Sequence, residues 1–162
     1  MQNQIGSKYN PDLTTTQIAK LVREDIKAAV KGGELPKARY SVRTSYYSMG
    51  SSLNVTVKAV PFSVLNEARV LNENHLPECS NPKHTPEAQK VLDQIRAILD
   101  LYNRKNIDSQ QDVYNVKFSG FVQFDSNIEN EERAGIRLRA SILKASRAPG
   151  LGKNSTGESV AS

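Results

Sequence analysis

Three groups of residues in this 162-residue chain have types and spacings that could do chemistry. The first is a set of cations on alternate positions. Arg39, Ser41 and Arg43 alternate in ARYSVRTSYY, and Asn54, Thr56 and Lys58 in SLNVTVKAV. Asn115, Lys117 and Phe121 alternate in DVYNVKFSGFVQFD, and Arg137 and Arg139 in GIRLRASILKA. Alternate residues of a strand share one face, so strands over these segments would present a basic, hydroxyl-bearing surface with one aromatic and no acid. Such a surface can dock an acidic protein or neutralise and stack nucleic acid. Strand residues that simply face water are often of the same types.

The second group is the loop HLPECSNPKH. His75, Cys79 and His84, with Glu73 or Glu78, are zinc-ligand types. Their spacing fits no familiar zinc motif, and the chain has one cysteine. A polar loop is the reading adopted, with no metal, no cofactor and no intrachain disulfide expected. The third group is carboxylates: Glu24 and Asp25 inside a helical pattern, Asp108 and Asp112 beside a strand start. Two histidines in one loop leave few candidates for general acid–base work. No nucleophile elbow, paired-cysteine deaminase signature or phosphate-binding P-loop is present. No catalytic residue is assigned, and the chain is expected not to be an enzyme.

The stretch SYYSMGSSLNV holds a glycine among serines. A phosphate-binding glycine loop needs a strand before it and a helix after it. Here strands flank both sides, so a hairpin is predicted, with Gly50 as its left-handed residue. Tyr47, Ser48 and Met49 complete the tip, where a partner could be touched.

The elements that must position these residues follow from periodicity. Residues 1–12 read as a flexible arm. Residues 13–33 read as a helix, with Thr14 and Gln17 as a capping box and Gly32–Gly33 as the stop. Two strands follow. A short helix is predicted from Pro61, then a second with Thr85 as N-cap and Pro86 in its first turn. Residues 103–111 read as a polar connection, DVYNVKFSGFVQFD as one strand, NIENEERAG as an acidic turn, and GIRLRASILKA as a fourth strand. Residues 146–162 read as a disordered tail. The prediction is a single α+β domain over 13–145, in the order α-β-β-α-α-β-β. It has two layers: a four-stranded antiparallel sheet of two hairpins, covered on one face by about three helices.

Lysine and arginine number 22 against 17 acids, a formal charge of +5, which favours an acidic partner. MQNQIGSKYNPD lacks the apolar core of a signal peptide, and no apolar run reaches the length of a membrane span. A cytoplasmic protein without a membrane partner is expected.

Several segments together resemble a known family. These are Ile18-Ala19 with Arg23, Tyr40-Ser41-Val42-Arg43, the hairpin from Tyr47 to Val55, and Tyr102-Asn103 leading to Tyr114–Phe118. They resemble the twenty-ninth of the large polyvalent protein associated domains, over about Thr14 to Phe124. GGELPKA stands where that family often has Phe-Pro-Gly, and DVYN where it often has Asp-Tyr-Phe-Asp. The resemblance implies an accessory protein of bacteriophages or conjugative elements, acting in a bacterial cytoplasm, with counter-defence among its roles. The expectation is a non-enzymatic module that binds a host or phage macromolecule by protein–protein contact through Arg39, Arg43, Lys58, Lys117, Phe121, Arg137 and Arg139. Nucleic-acid binding by the same face, single-stranded or duplex, is the alternative.

Overall fold

In a computed structural model, which describes residues 2–72, 81–108, 110 and 113–147, the periodicities resolve into strands and helices. In chain order these are β1 (Gln2–Ile5), α1 (Thr15–Lys31), β2 (Arg39–Tyr47), β3 (Gly50–Ala59), α2 (Glu67–Leu71), α3 (Pro86–Leu101), β4 (Arg104–Asp108), β5 (Val113–Val116), β6 (Ser119–Phe124) and α4 (Ser126–Arg147). The class is α+β, as expected. The single four-stranded antiparallel sheet is not found. Two three-stranded sheets replace it, ordered β1-β4-β5 and β2-β3-β6, and in the second β6 runs parallel to β3.

The helix signals act as the sequence predicts. Thr14 Oγ1 accepts from Gln17 N at 3.2 Å, and Gln17 Oε1 accepts from Thr14 N at 2.8 Å, so two orphan N–H groups of α1 are satisfied. Thr85 caps α3, and Pro86 takes its first position. Ile18, Val22 and Ile26 of α1 and Val91, Ile95 and Leu99 of α3 share one core with Leu53, Val55 and Val57 of β3, α3 lying against β6. This layer lies on the inner face of β2-β3-β6. Phe118 is buried with it.

Three predictions fail for physical reasons. DVYNVKFSGFVQFD is not one strand. At Lys117–Phe118 the chain leaves β5 in one sheet and enters β6 in the other. The buried side chain of Asn103 makes the break: its Nδ2 donates to Phe118 O at 2.9 Å, and its Oδ1 accepts from Phe118 N at 3.4 Å. That amide supplies the partners a sheet neighbour would have supplied. GIRLRASILKA is not a strand either, and NIENEERAG is not a turn. Both belong to α4, where Asp125 accepts from Asn127 N through its side chain at 2.9 Å and starts the helix. The helix runs to Arg147, past the expected domain end at 145. Finally, residues 2–5 are strand rather than loose arm. They pair with β4, and Gly6 N donates to Asn103 O at 2.9 Å. A Cβ on Gly6 would lie 2.1 Å from Asp100 O, so the backbones meet closely there.

The helix expected from Pro61 is confined to α2. Residues 63–66 are extended beside 83–85, with Asn66 N donating to Lys83 O at 2.8 Å and Thr85 N to Val64 O at 2.9 Å. Glu132 of α4 closes this corner, its carboxylate accepting from Val64 N at 2.8 Å and Leu65 N at 2.9 Å. Leu65, Val70 and Ile136 form a small second core beneath α4. The expected tail from 148 on, and His75 and Cys79, lie outside the described residues.

Candidate functional site

With α1 and α3 on one side, the other side of β2-β3-β6 is open. Pairing places its outward residues in rows across the three strands: Ser45–Ser52–Ser119, Arg43–Asn54–Phe121 and Ser41–Thr56–Gln123. The alternation read from the sequence is therefore correct for these strands, and no acid stands in these rows. Arg43 and Gln123 are exposed, while Asn54 and Thr56 are half-buried. Arg39 is exposed at the start of β2, next to an irregularity in the pairing. Lys58 is half-buried beyond the last row.

Two aromatic rings share this face. Phe121 is 53% exposed, which for a phenylalanine on an open sheet leaves a ring available for stacking. Tyr47 reaches across the sheet from β2. Its hydroxyl donates to Ser51 O at 3.2 Å and lies 3.3 Å from Ser119 Oγ, whose proton it can accept, so the side chain spans β3 to touch β6. Ser52, between them in the pairing, is buried although it faces outward. Tyr47 pairs with Gly50, two rows from Phe121, and its hydroxyl reaches Ser119 in the row next to Phe121.

The hairpin tip has divided roles. Ser48 and Met49 alone link Tyr47 to Gly50, and Met49 is almost fully exposed. Gly50 heads β3 with φ of 153° rather than sitting in the loop, a conformation that glycine alone adopts without strain. The side chain of Ser51 turns away from its own hairpin. Its Oγ lies 2.6 Å from Thr15 Oγ1 in a buried pair that ties the hairpin to α1. The Tyr46 hydroxyl accepts from Thr16 N at 3.0 Å and pairs with Thr16 Oγ1 at 2.7 Å; these bonds hold it below the usual tyrosine pKa.

One end of the face forms a depression of about 390 Å³ lined by Arg43, Thr56, Lys58 and Gln123. Lys83 also lines it, a residue outside every strand pattern that arrives because 83–85 runs beside 63–66. Asp125 and Glu129, at the start of α4, line it as well, so the depression carries both signs of charge. Glu129 is internally matched: Oε2 is 2.8 Å from Lys83 Nζ, and Oε1 is 3.2 Å from His84 Nε2. Burial pushes its carboxyl up, but the hydrogen bonds and charges of Lys83 and His84 outweigh this and leave it below the usual value. His84 also packs against the Phe124 ring, with centroids 5.5 Å apart.

The structure does not bring the other expected residues here. Arg137 and Arg139 stand on α4, and Arg139 lines a different groove, against Gly135. Lys117 stands at the turn between β5 and β6, with its Nζ donating to Pro11 O at 3.0 Å. The basic face therefore contracts to Arg43 and Lys58, joined by Lys83, with Phe121 and Tyr47 beside them; Arg39 lies beyond the irregularity, paired with Ala59. Among the described residues, no group of three potential metal-ligating side chains converges, and no helix is long and apolar enough to cross a membrane.

Searches of family models, curated proteins and solved structures gave no significant match to this chain. The functional reading rests on the geometry of this face.

Proposed function

We propose that this protein is a non-enzymatic binding module that holds single-stranded nucleic acid on the outer face of β2-β3-β6. One observation carries the reading: Phe121 and Tyr47 occupy the same open face as Arg43, and the strand rows of that face hold no acid. Flat rings offer a stacking surface to any base, worth about 1–3 kcal/mol per base. Arg43 lies in the same row as Phe121 with Asn54 between them, so a phosphate can meet a guanidinium while a base meets the ring. Asn54, Thr56 and Gln123 supply donors and acceptors between the charges. The hydroxyl-rich surface favours a weakly sequence-selective grip.

Docking of an acidic protein surface is the second reading, favoured by the grouping of Arg43, Lys58 and Lys83 around one depression. It uses the cations and not the ring. Fluorescence anisotropy with a labelled single-stranded 20-mer at about 50 mM salt separates the two, since phosphate contacts are strongest at low ionic strength. The expected result is binding that weakens about 5- to 100-fold in Phe121→Ala, the loss of one stacked base, and falls steeply with salt. Absence of binding to single strands at about 100 µM protein at that salt would overturn the nucleic-acid reading. Binding that ignores Phe121→Ala but fails in Arg43→Glu would leave a charge-only surface.

A further inference from the structure

Between α1 and β2 lies a trough that neither the open sheet face nor the core uses. β2 is the edge of its sheet, with β3 on one side and no strand among the described residues on the other. α1 runs antiparallel along this edge: Thr16 meets Tyr46, Arg23 meets Val42, and Val30 and Lys31 line the trough with Ala38 and Tyr40. Its volume is about 410 Å³, within the range of small-molecule sites. Ile26, Val30, Ala38, Tyr40 and Val42 give it apolar walls. Ile26 and Val42 are buried, and the other three are half-buried. Tyr40 and Val42 point toward the core side, so the trough lies on the opposite side of the sheet from Arg43 and Phe121.

The charge around it has one sign. Arg23, Lys27 and Lys31 line the trough and form a column on α1, about 6 Å apart along the helix axis. Among the described residues no acid lines it, and none of the three cations is in an ion pair. Glu24 and Glu34 stand outside the lining, and Asp25 is held by Lys8 and Tyr102. Tyr40 adds no negative charge. Its hydroxyl donates to Pro36 O at 2.7 Å, and burial pushes its pKa up to about 12.

The cations also narrow the head group. Arg23 Nη2 donates to Val42 O at 2.7 Å, which holds the guanidinium at the trough and leaves its other N–H groups for an anion. A planar guanidinium matches the two oxygens of a carboxylate. The lysines do not converge on that point, because the column from Arg23 to Lys31 covers about 12 Å of helix. A compact polyvalent head would therefore meet only part of it. The stems of Lys27 and Lys31 instead extend the apolar wall while their ammonium groups stay in water. We propose that this trough binds a small amphipathic carboxylate, its head on Arg23 and its aliphatic body against Ile26, Val30, Tyr40 and Val42.

Methyl NMR of the full chain, titrated with sodium decanoate below its micelle concentration, tests this directly. The expected result is saturable shifts at the methyl groups of Ile26, Val30 and Val42. Hexanoate, with a shorter aliphatic body, should bind at least about tenfold more weakly. Arg23→Gln should weaken decanoate about tenfold, the loss of charge-assisted hydrogen bonds, and leave the binding of uncharged 1-decanol as it was. Ala38→Phe, which narrows the trough without touching a charge, is the second variant and should weaken both ligands. Three results would each overturn the proposal. The first is the absence of saturable shifts. The second is a folded Arg23→Gln chain that binds decanoate as tightly as the parent. The third is shifts at these methyl groups with phosphatidylglycerol vesicles or an oligo-glutamate peptide but not with free decanoate.

Discussion

Glu129 is one residue that serves two structures. Its carboxylate joins the segment carrying Lys83 and His84 to the start of α4, at the edge of the open face. Its folded pKa lies below the ordinary 4.5, so the carboxylate stabilises the fold above that value. The contribution is lost as pH falls through the folded pKa, because protonation must then break both contacts. Lys83→Ala removes the stronger partner. The expected outcome is a Glu129 titration midpoint that moves upward, read by NMR of the side-chain carboxyl, and a thermal midpoint that changes less between neutral and acid pH than in the parent. An unmoved midpoint would mean that His84 alone holds the carboxylate. At the same scale, Tyr102 donates to Asp25 at 2.5 Å, and Lys8 reaches the same carboxylate at 3.1 Å. Burial first, then that hydrogen bond, holds the tyrosine proton on well above the usual range. Asp25, which in the sequence falls at the edge of an apolar stripe, thereby ties the N-terminal segment, α1 and the end of α3 together.

At the scale of elements, Asn103 decides the architecture. Without its amide, the Phe118 N–H and C=O would be buried with no partner among the described groups that bond them. Asn103→Ala should cost about 2–4 kcal/mol, the desolvation of one or two buried backbone groups, read as a drop in the urea midpoint at unchanged slope. A loss below about 0.5 kcal/mol would mean the break is held by the flanking strands instead. This also explains what the sequence could and could not disclose. α1, α3, β2 and β3 have caps, stops and clean periods, so they are legible locally. So is the outward set Arg43, Asn54, Thr56 and Phe121. The split between β5 and β6 is not, because alternation continues through Lys117 and Phe118 while the cause lies fifteen residues earlier. α4 misleads for a different reason: Ile136, Leu138, Ala140 and Ile142 alternate, yet the segment from Ser126 is rich in Glu, Arg, Ala and Leu, strong helix formers. Over 22 residues that preference outweighs a short alternating run. Reading Arg137 and Arg139 as strand residues placed them on the wrong surface.

At the scale of the whole molecule, the open face is assembled from distant parts of the chain. β2 and β3 are joined by a tight hairpin, but β6 reaches β3 only after α2, α3, β4 and β5 have been made, and it arrives parallel. A pairing across that separation must meet its loop-closure entropy before any contact repays it. The hairpin can therefore form early, and the docking of β6 belongs to the late, slow part of folding. Until then the second edge of β3, from Ser52 to Val57, is bare, with Leu53, Val55 and Val57 beside unpaired backbone. A chain ending after Lys117 should consequently be recovered as aggregate rather than as a smaller soluble domain, measured by light scattering after dilution from denaturant. A soluble, single-chain product with a cooperative melt would refute this. During synthesis the Phe121 ring cannot be presented beside Arg43 until every element up to β6 has been made. The interval between hairpin and final strand is then when a nascent chain most needs protection from its neighbours.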